Sequence, residues 1–232
     1  MNSAPATKQG RATRERIVRA AAELIAERGA AGTSLDDVRA LTAASKSQLY
    51  HYFGDKRGLV EAVVEYQCAG VLGFQAWALA SVSTWEDLEQ WKELMVAGVV
   101  ERGARGGCPI GTLASALADT DEILRISLQE AFRAWGDAIR AALVRLRDSG
   151  LIDPDADLDR LTTIMLVAIE GGLLLAKTAR DAGALRTALD GAIAQLRAPG
   201  VRTRRPISPR TEARSRRAPR TGGRPAPRCW RP

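Results

Sequence analysis

The fold is decided by residues 33–56, which read TSLDDVRALTAASKSQLYHYFGDK. Two helix starts lie in this stretch: Ser34-Leu35-Asp36-Asp37 and, eleven residues later, Ser45-Lys46-Ser47-Gln48. Each places a serine at the N-cap and a side-chain acceptor three residues on, which is the pattern of a capping box. Only Thr42-Ala43-Ala44 separates the two predicted helices. Two short helices joined by such a turn are the helix-turn-helix arrangement.

Amphipathic helices flank this motif. From Thr13 to Arg28, apolar residues recur at the spacing of one helix face, and Gly29 follows as a stop. Asp55 can cap a further helix that runs from Lys56 to about Trp77. Four more helices are predicted between glycine and proline clusters: Glu86 to Arg102, Ile123 to Ser149, Leu158 to Ala179 and Ala184 to Leu196. No stretch alternates with the period of a strand, so the sequence predicts an all-α protein.

Composition divides the 232 residues into four parts. We expect a flexible arm (1–12), a helix-turn-helix domain (13–58), a larger helical domain (59–198) and a disordered tail rich in arginine and proline (199–232). Residues 1–58 hold 10 basic and 6 acidic residues, residues 59–198 hold 13 and 20, and the tail holds 11 and 1. The basic ends favour nucleic acid as a partner, whereas the acidic middle would repel a phosphate backbone. The tail either binds nucleic acid without sequence preference or is a dispensable extension.

Catalytic chemistry is sparse. His51 is the one histidine and belongs to the helix-turn-helix, which excludes a Ser-His-Asp or Cys-His site in the larger domain. Cys68, Cys108 and Cys229 have neither metal-site nor disulfide spacing. The sequence therefore predicts no enzyme, no metal and no cofactor. The start has no secretory signal, and the uncharged run from Tyr66 to Trp85 is too polar for a membrane span, so we expect a cytoplasmic protein without a membrane partner.

The segments Thr33 to Val38 and Ser45 to Lys56 resemble the amino-terminal DNA-binding domain of the TetR family, over about residues 13–62. The resemblance implies a transcriptional regulator, a homodimer that represses at a palindromic operator in double-stranded DNA. It also implies that the larger domain dimerises and binds a small-molecule effector that relieves repression. The stretch Gly107-Cys108-Pro109-Ile110-Gly111 resembles a turn of one subgroup of the family. In an alternative that stays open, the larger domain binds a protein partner instead of a small ligand.

The predicted recognition helix has an inner and an outer face. Leu49 and Phe53, four residues apart, are expected to pack inward. The outward residues that can reach base edges in the major groove are Lys46, Ser47, Gln48 and His51. Gln48 can bond adenine, but it is also the capping partner of Ser45, and both roles stay open.

Other candidate DNA-binding residues surround this helix. The family resemblance implies phosphate contacts by Thr33, Tyr50, Tyr52 and Lys56, and the two N-cap residues Ser34 and Ser45 complete the set. The turn departs from the family pattern, which usually carries Ala-Gly-Val where this chain has Thr42-Ala43-Ala44. A left-handed position then lacks its glycine, at a cost of about 1 kcal/mol.

The larger domain contains candidate pocket walls and a candidate interface. The proposed ligand-binding residues are Trp77, Trp91, Cys108, Phe132, Trp135, Met165 and Glu170, each of which also fits an ordinary core. Glu170 either receives a cationic or hydroxylated ligand, pairs with an arginine or turns to solvent. Cys108 is either a redox or electrophile sensor or a plain thiol.

Two apolar stripes on the last helices are the candidate dimer interface. Their residues are Leu166, Ile169, Leu173 and Leu174, followed by Leu185, Leu189 and Ile193. The pair Gly171-Gly172 would allow a partner helix to approach closely. The same stripes also fit the core of a monomer.

Overall fold

A computed structural model describes residues 7–198, and the secondary structure of this part is nine helices. They are α1 (Lys8–Arg28), α2 (Leu35–Thr42), α3 (Lys46–Phe53), α4 (Lys56–Leu79), α5 (Trp85–Glu101), α6 (Pro109–Leu117), α7 (Glu122–Asp148), α8 (Leu158–Ala179) and α9 (Gly183–Arg197). No strand occurs in residues 7–198, which confirms the all-α prediction. The predicted tail, residues 199–232, lies outside the described residues.

Two helix starts differ from the predictions. The helix α1 begins at Lys8, not Thr13, because the side chain of Thr7 accepts a hydrogen bond from the Gly10 amide at 3.0 Å. The first turn packs no large apolar residue, so the hydrophobic period does not reveal it. The helix α6 begins at Pro109, where only a turn was predicted. Proline at the first helical position, which lacks an amide that would be unpaired there, was the overlooked signal.

The first three helices pack on α4 to form one small core. Ile17, Val38, Leu49 and Phe53 are buried in it, as the inward face of the motif predicts. The helix α4 crosses the predicted boundary at residue 58 without a break and runs for 24 residues, about 36 Å. One rigid element therefore belongs to both the helix-turn-helix and the larger bundle.

The larger bundle consists of α4 to α9 and is filled by large apolar side chains, among them Trp91 and Trp135, which are both 1% exposed. The helices α8 and α9 are in close contact at Gly172, where an added Cβ would lie 2.8 Å from the Cα of Leu185. The ammonium of Lys92 ties α5 to α9 through a 2.6 Å hydrogen bond to Asp190. Close packing therefore holds α8 against α9, and the ion pair holds α9 against α5, within one chain.

The helix α8 is long and apolar enough to cross a membrane by length and composition, with a mean hydropathy of 1.5. Core helices of globular bundles have the same composition, so one such helix is weak evidence for a membrane span. Only 39% of its apolar window is buried inside the chain. An apolar surface is therefore left on its outer side.

Candidate nucleic-acid interface and ligand cavity

The helix α3 has an exposed polar face and, on its opposite side, a buried apolar face. Both predicted capping boxes are present in full: Ser34 with Asp37, and Ser45 with Gln48. Leu49 and Phe53 are each 2% exposed, whereas the outward residues predicted to reach bases are exposed: Lys46, Ser47, Gln48 and His51. Tyr50 is half exposed, and the ammonium of Lys46 lies 5.9 Å from its ring centre. This face carries two cation-capable groups and several hydrogen-bonding groups, as a recognition helix requires.

Gln48 has a structural role as well as an exposed position. The side-chain Oε1 of Gln48 accepts a hydrogen bond from the backbone amide of Ser45 at 2.9 Å, and the backbone amide of Gln48 donates to the Ser45 hydroxyl at 3.1 Å. The side-chain oxygen is thus used by the cap. This geometry favours the capping role among the two that the sequence left open.

Two of the residues predicted to contact phosphate are buried in the fold. Thr33 is 4% exposed, and its hydroxyl donates to the carbonyl of Gly29 at 2.9 Å. Tyr52 is 8% exposed and packs between the rings of His51 and Phe53. Thr33, in the loop between α1 and α2, and Tyr52, on α3, are thus both part of the packed interior. Their phosphate contacts stay a prediction, and this burial speaks against them.

Lys56 and Ser34 meet at the start of α2. The ammonium of Lys56 donates to the carbonyl of Ala31 at 3.1 Å and remains exposed. The Ser34 hydroxyl and amide both bond the Asp37 carboxylate, and these hydrogen bonds lower the pKa of Asp37, with smaller help from Arg28 and Lys56. A cation and a helix amino terminus are therefore side by side, which is a favourable setting for a phosphate.

The turn between α2 and α3 contains the strain that the sequence predicts. Ala43 has φ 49° and ψ 22°, in the left-handed region where glycine is favoured. Hydrogen bonds on its flank hold it there: the Thr42 hydroxyl donates to the Val38 carbonyl at 2.7 Å, and Arg16 donates to the Thr42 carbonyl. Ala44 is buried and fills the core below the turn.

A cavity of about 580 Å³ opens among α4 to α8 in the larger bundle. Among the predicted ligand-binding residues, Cys108 and Trp135 line it. The lining residues that the sequence analysis missed include Gln67, Val71, Phe74, Gln75, Leu94, Met95, Val99 and Arg102. The four on α4 recur at the spacing of one helix face, and a search of the uncharged run for such a face would have found them.

The other candidate pocket residues lie elsewhere. Trp77 is 67% exposed, so it is no pocket wall. Trp91 and Met165 are buried in the core, and Phe132 packs against that core from its edge. Trp91 supports the cavity indirectly, because its Nε1 donates to the Oε1 of Gln75 at 3.1 Å.

Cys108, in the cavity wall, and Glu170, which is half-buried, are neighbours. Cys108 caps α6, and its sulfur accepts the Gly111 amide at 3.4 Å, whereas the buried Oε1 of Glu170 has no hydrogen-bond partner among the described residues. Burial, with the carboxylate charge, strongly raises the pKa of Cys108, and burial raises the pKa of Glu170. A protonated, buried thiol is the opposite of what an electrophile or redox sensor needs, so the geometry favours the plain thiol.

The predicted dimer stripes are corrected in part. Ile169, Leu185 and Leu189 are 0% exposed in one chain, and Ile193 and Leu173 are also buried. They form the contact between α8 and α9, and Leu173 lines the cavity. Leu166 is half-buried against the core. Of the seven residues, Leu174 alone is widely exposed, at 63%.

Comparisons with known proteins agree with this architecture. Residues 17–63 match the family of bacterial regulatory proteins called tetR, and residues 84–190 match the carboxy-terminal domain of LmrA/YxaF-like transcriptional regulators. A helix-turn-helix transcriptional regulator from the lacX 3' region of Lactococcus lactis is 29% identical, over 78% of this chain and 91% of its own. The transcriptional regulator LmrA of Bacillus subtilis is 27% identical, over 73% and 88%. The crystal structure of a TetR regulatory protein from Rhodobacter sphaeroides superposes with a TM-score of 0.72 at 21% identity, over 78% and 97%, which shows the shared fold.

The fold and the exposed recognition helix define a DNA-binding transcriptional regulator of the helix-turn-helix class. The chain belongs to the TetR family. Members of this family are regulators and not enzymes, and they bind DNA, dimerise and bind small-molecule effectors. The resemblance of the Gly107 to Gly111 turn to one subgroup stays a prediction.

Proposed function

We propose that this protein is a homodimeric repressor that binds a palindromic operator and releases it when a small molecule enters the larger domain. The observation that carries the proposal is the outward face of α3, where Lys46, Ser47 and His51 are exposed over a base of buried Leu49 and Phe53. This is the arrangement in which a helix packs one side and offers the other to the major groove. Since the proposed target is chromosomal DNA, we propose the cytoplasm as its location.

Charge supports the orientation on DNA. Residues 1–58 carry a formal excess of positive charge, with 10 basic and 6 acidic residues, whereas residues 59–198 carry 13 and 20. Phosphate attraction at one end and repulsion at the other direct the helix-turn-helix toward the duplex. Phosphate contacts would supply most of the affinity, and the few base contacts of α3 would supply the sequence choice.

The helix α4 supports a link between effector and DNA. It is capped by Asp55 next to α3, and further along it lines the cavity with Gln67, Phe74 and Gln75. Near its start, Arg57 donates to Asp121, the N-cap of α7, at 2.8 Å. A ligand that displaces α4 would therefore shift the helices that rest on it.

A second, smaller cavity strengthens this link. It has a volume of about 130 Å³ and lies between α1 and the loop before α6. Ile25 of α1 lines it, and it shares Gln67 and Arg102 with the larger cavity. An effector that reorders this loop would act directly on the first helix of the DNA-binding bundle. The presence of a cavity favours a small-molecule effector over the protein partner that the sequence left open.

We propose the outer face of α8 as the dimer interface. Val167, Leu174 and Leu175 are 65%, 63% and 59% exposed. Gly171 lies in the same stripe, and an added Cβ there would meet nothing within 4 Å, so a partner helix can approach. Leu174→Glu should give a folded monomer in sedimentation equilibrium, whereas Val100→Glu, on α5 and also 63% exposed, should remain a dimer. Dimers of both variants would contradict this interface.

The repressor itself is tested by selecting its preferred DNA from a random pool with the full chain at a stated salt concentration. We expect a palindrome whose half-sites lie one or more helical turns apart, because a two-fold dimer presents two recognition helices. A reporter gene behind that site should be silenced by the protein. Binding that is blind to sequence and is lost with residues 199–232 would overturn the proposal, since the tail alone would then explain the affinity.

A further inference from the structure

The cavity wall contains a buried hydrogen-bond donor without an acceptor. Trp135 lines the cavity and is 1% exposed, and its Nε1 has no hydrogen-bond partner among the described residues. An indole N–H can only donate. Burying it unpaired is destabilising, so an acceptor from outside the chain is expected. The Nε1 atom is closed off in this structure, and the adjoining cavity is the space from which an acceptor can reach it once a ligand moves the wall.

A second donor lies in the same wall. Gln75 is 2% exposed and also lines the cavity. Its Oε1 accepts from Trp91 at 3.1 Å, and because an indole N–H can only donate, this contact fixes which end of the carboxamide is the nitrogen. The Nε2 lies 3.1 Å from the sulfur of Met95. A thioether is a weak acceptor, and it takes one of the two N–H groups, so the carboxamide retains donor capacity.

Acceptors are scarce on this wall. Among the described lining residues the one carboxylate belongs to Glu101, which is exposed at the edge beside exposed Arg102. Glu170 is next to Cys108 but is not a lining residue, and its buried Oε1 is unpaired among the described residues. Gln67, which is half-buried, offers both an acceptor and a donor, whereas the buried Trp135 and Gln75 offer N–H donors. The rest of the wall is mostly apolar, with Val71, Phe74 and Leu173 among its residues.

We propose that the effector of this cavity is a mostly apolar molecule whose buried end carries a carbonyl or carboxylate oxygen, which accepts hydrogen bonds from Trp135 and Gln75. A protonated amine at the buried end is disfavoured, because its N–H donors would face the donors of Trp135 and Gln75. The proposal rests on the proposed function, in which this cavity is the effector site. It also replaces the cationic or hydroxylated ligand that Glu170 suggested in the sequence, since Glu170 does not line the cavity.

The proposal is tested by calorimetry on the full chain with four probes that share one apolar body: naphthalene, 2-acetonaphthone, 2-naphthoate and protonated 2-naphthylmethylamine. A two-ring body fits a cavity of about 580 Å³. We expect the ketone and the carboxylate to bind about tenfold more tightly than naphthalene, and the amine to bind most weakly. A dominant carboxylate would assign an anionic effector, and equal binding of ketone and carboxylate a neutral carbonyl.

The variant Trp135→Phe keeps the aromatic ring and removes the N–H. It should lower the affinity for the ketone about fivefold to tenfold and leave naphthalene unchanged, which also reports that the cavity is intact. Trp85→Phe is the matched control, because Trp85 lies under the Arg197 guanidinium, 5.0 Å away, and does not line the cavity. Equal binding of ketone and naphthalene, tightest binding of the amine, or no binding of the ketone would overturn the proposal without any variant.

DNA release is measured in parallel so that the two proposals fail separately. If the ketone binds as expected but operator binding does not change, effector control is wrong and the ligand class stands. If molecules that release the operator lack an acceptor oxygen, or act equally on Trp135→Phe, the ligand class is wrong and the repressor stands.

Discussion

Replacing Ala43 by glycine should stabilise the protein. Ala43 has φ 49°, so its backbone adopts the left-handed conformation, in which the Cβ of an L residue costs about 1–2 kcal/mol. Glycine removes this cost, but it also makes the unfolded chain more flexible, which lowers the free energy of unfolding by about 0.4–1 kcal/mol. The side chain is exposed, so no packing is lost. The net gain in the free energy of unfolding is about 0.5–1 kcal/mol, or about 1–4 °C in Tm for a chain of this size.

The matched control is Ala40→Gly, the same substitution three residues earlier, at an exposed position inside α2. There glycine should destabilise by about 1 kcal/mol, because the backbone is an ordinary helix. Urea unfolding of the full chain, followed by circular dichroism, gives both values. If Ala43→Gly lowers the midpoint as Ala40→Gly does, the left-handed turn is not a source of strain, and the reasoning from the missing glycine is wrong.

Three further predictions concern other parts of the molecule. Gly172→Ala should lower the free energy of unfolding by about 1–2 kcal/mol, because the clash with the Leu185 backbone at 2.8 Å outweighs the gain in helix propensity. Gly191→Ala on α9, where an added Cβ meets nothing within 4 Å, should show no loss in urea unfolding. In fluorescence anisotropy titrations, Lys46→Ala should weaken operator binding and reduce the slope of log K against the logarithm of salt concentration by about one. The control Arg133→Ala, on α7, should change neither the affinity nor this slope. Burial raises the pKa of Glu170, so the folded state binds the proton of this carboxyl more tightly than the unfolded state, and the free energy of unfolding falls as the pH rises above the ordinary value of 4.5. In urea unfolding measured across pH, Glu170→Gln should remove this pH dependence. The same pH dependence in the variant and the original protein would contradict the prediction.

Capping signals and short-range spacing predicted the DNA-binding part well. The boxes at Ser34 and Ser45 depend on contacts three residues apart, so the local sequence contains all the information that they need. The first turn of α1 escaped because it starts on a cap without an apolar stripe, and α6 escaped because its nine residues follow closely on glycines that indicate a turn. Thr33 and Tyr52 were assigned to the surface by the family pattern, but local turn geometry and neighbouring rings place them in the core.

The cavity and the interface depended on contacts far apart in the chain. An apolar stripe on α8 or α9 indicates that this face of the helix is buried, but it does not indicate whether the same chain or a partner chain covers it. Leu185 and Leu189 are covered by their own chain, whereas Leu174 and Val167 are left exposed. The donors Trp135 and Gln75 come from α7 and α4, and nothing in either segment alone indicates that they share a wall.

The sequence by itself determined the all-α class, the two capped helices and the polar face of α3, because helix starts and periodicity are local properties of the chain. Tertiary structure alone decided which apolar faces pair inside one chain, which stay exposed on α8, and where packing leaves a cavity. These outcomes depend on how whole helices approach one another. A single atom decides some of them, as at Gly172, where the absence of a Cβ lets α9 lie against α8.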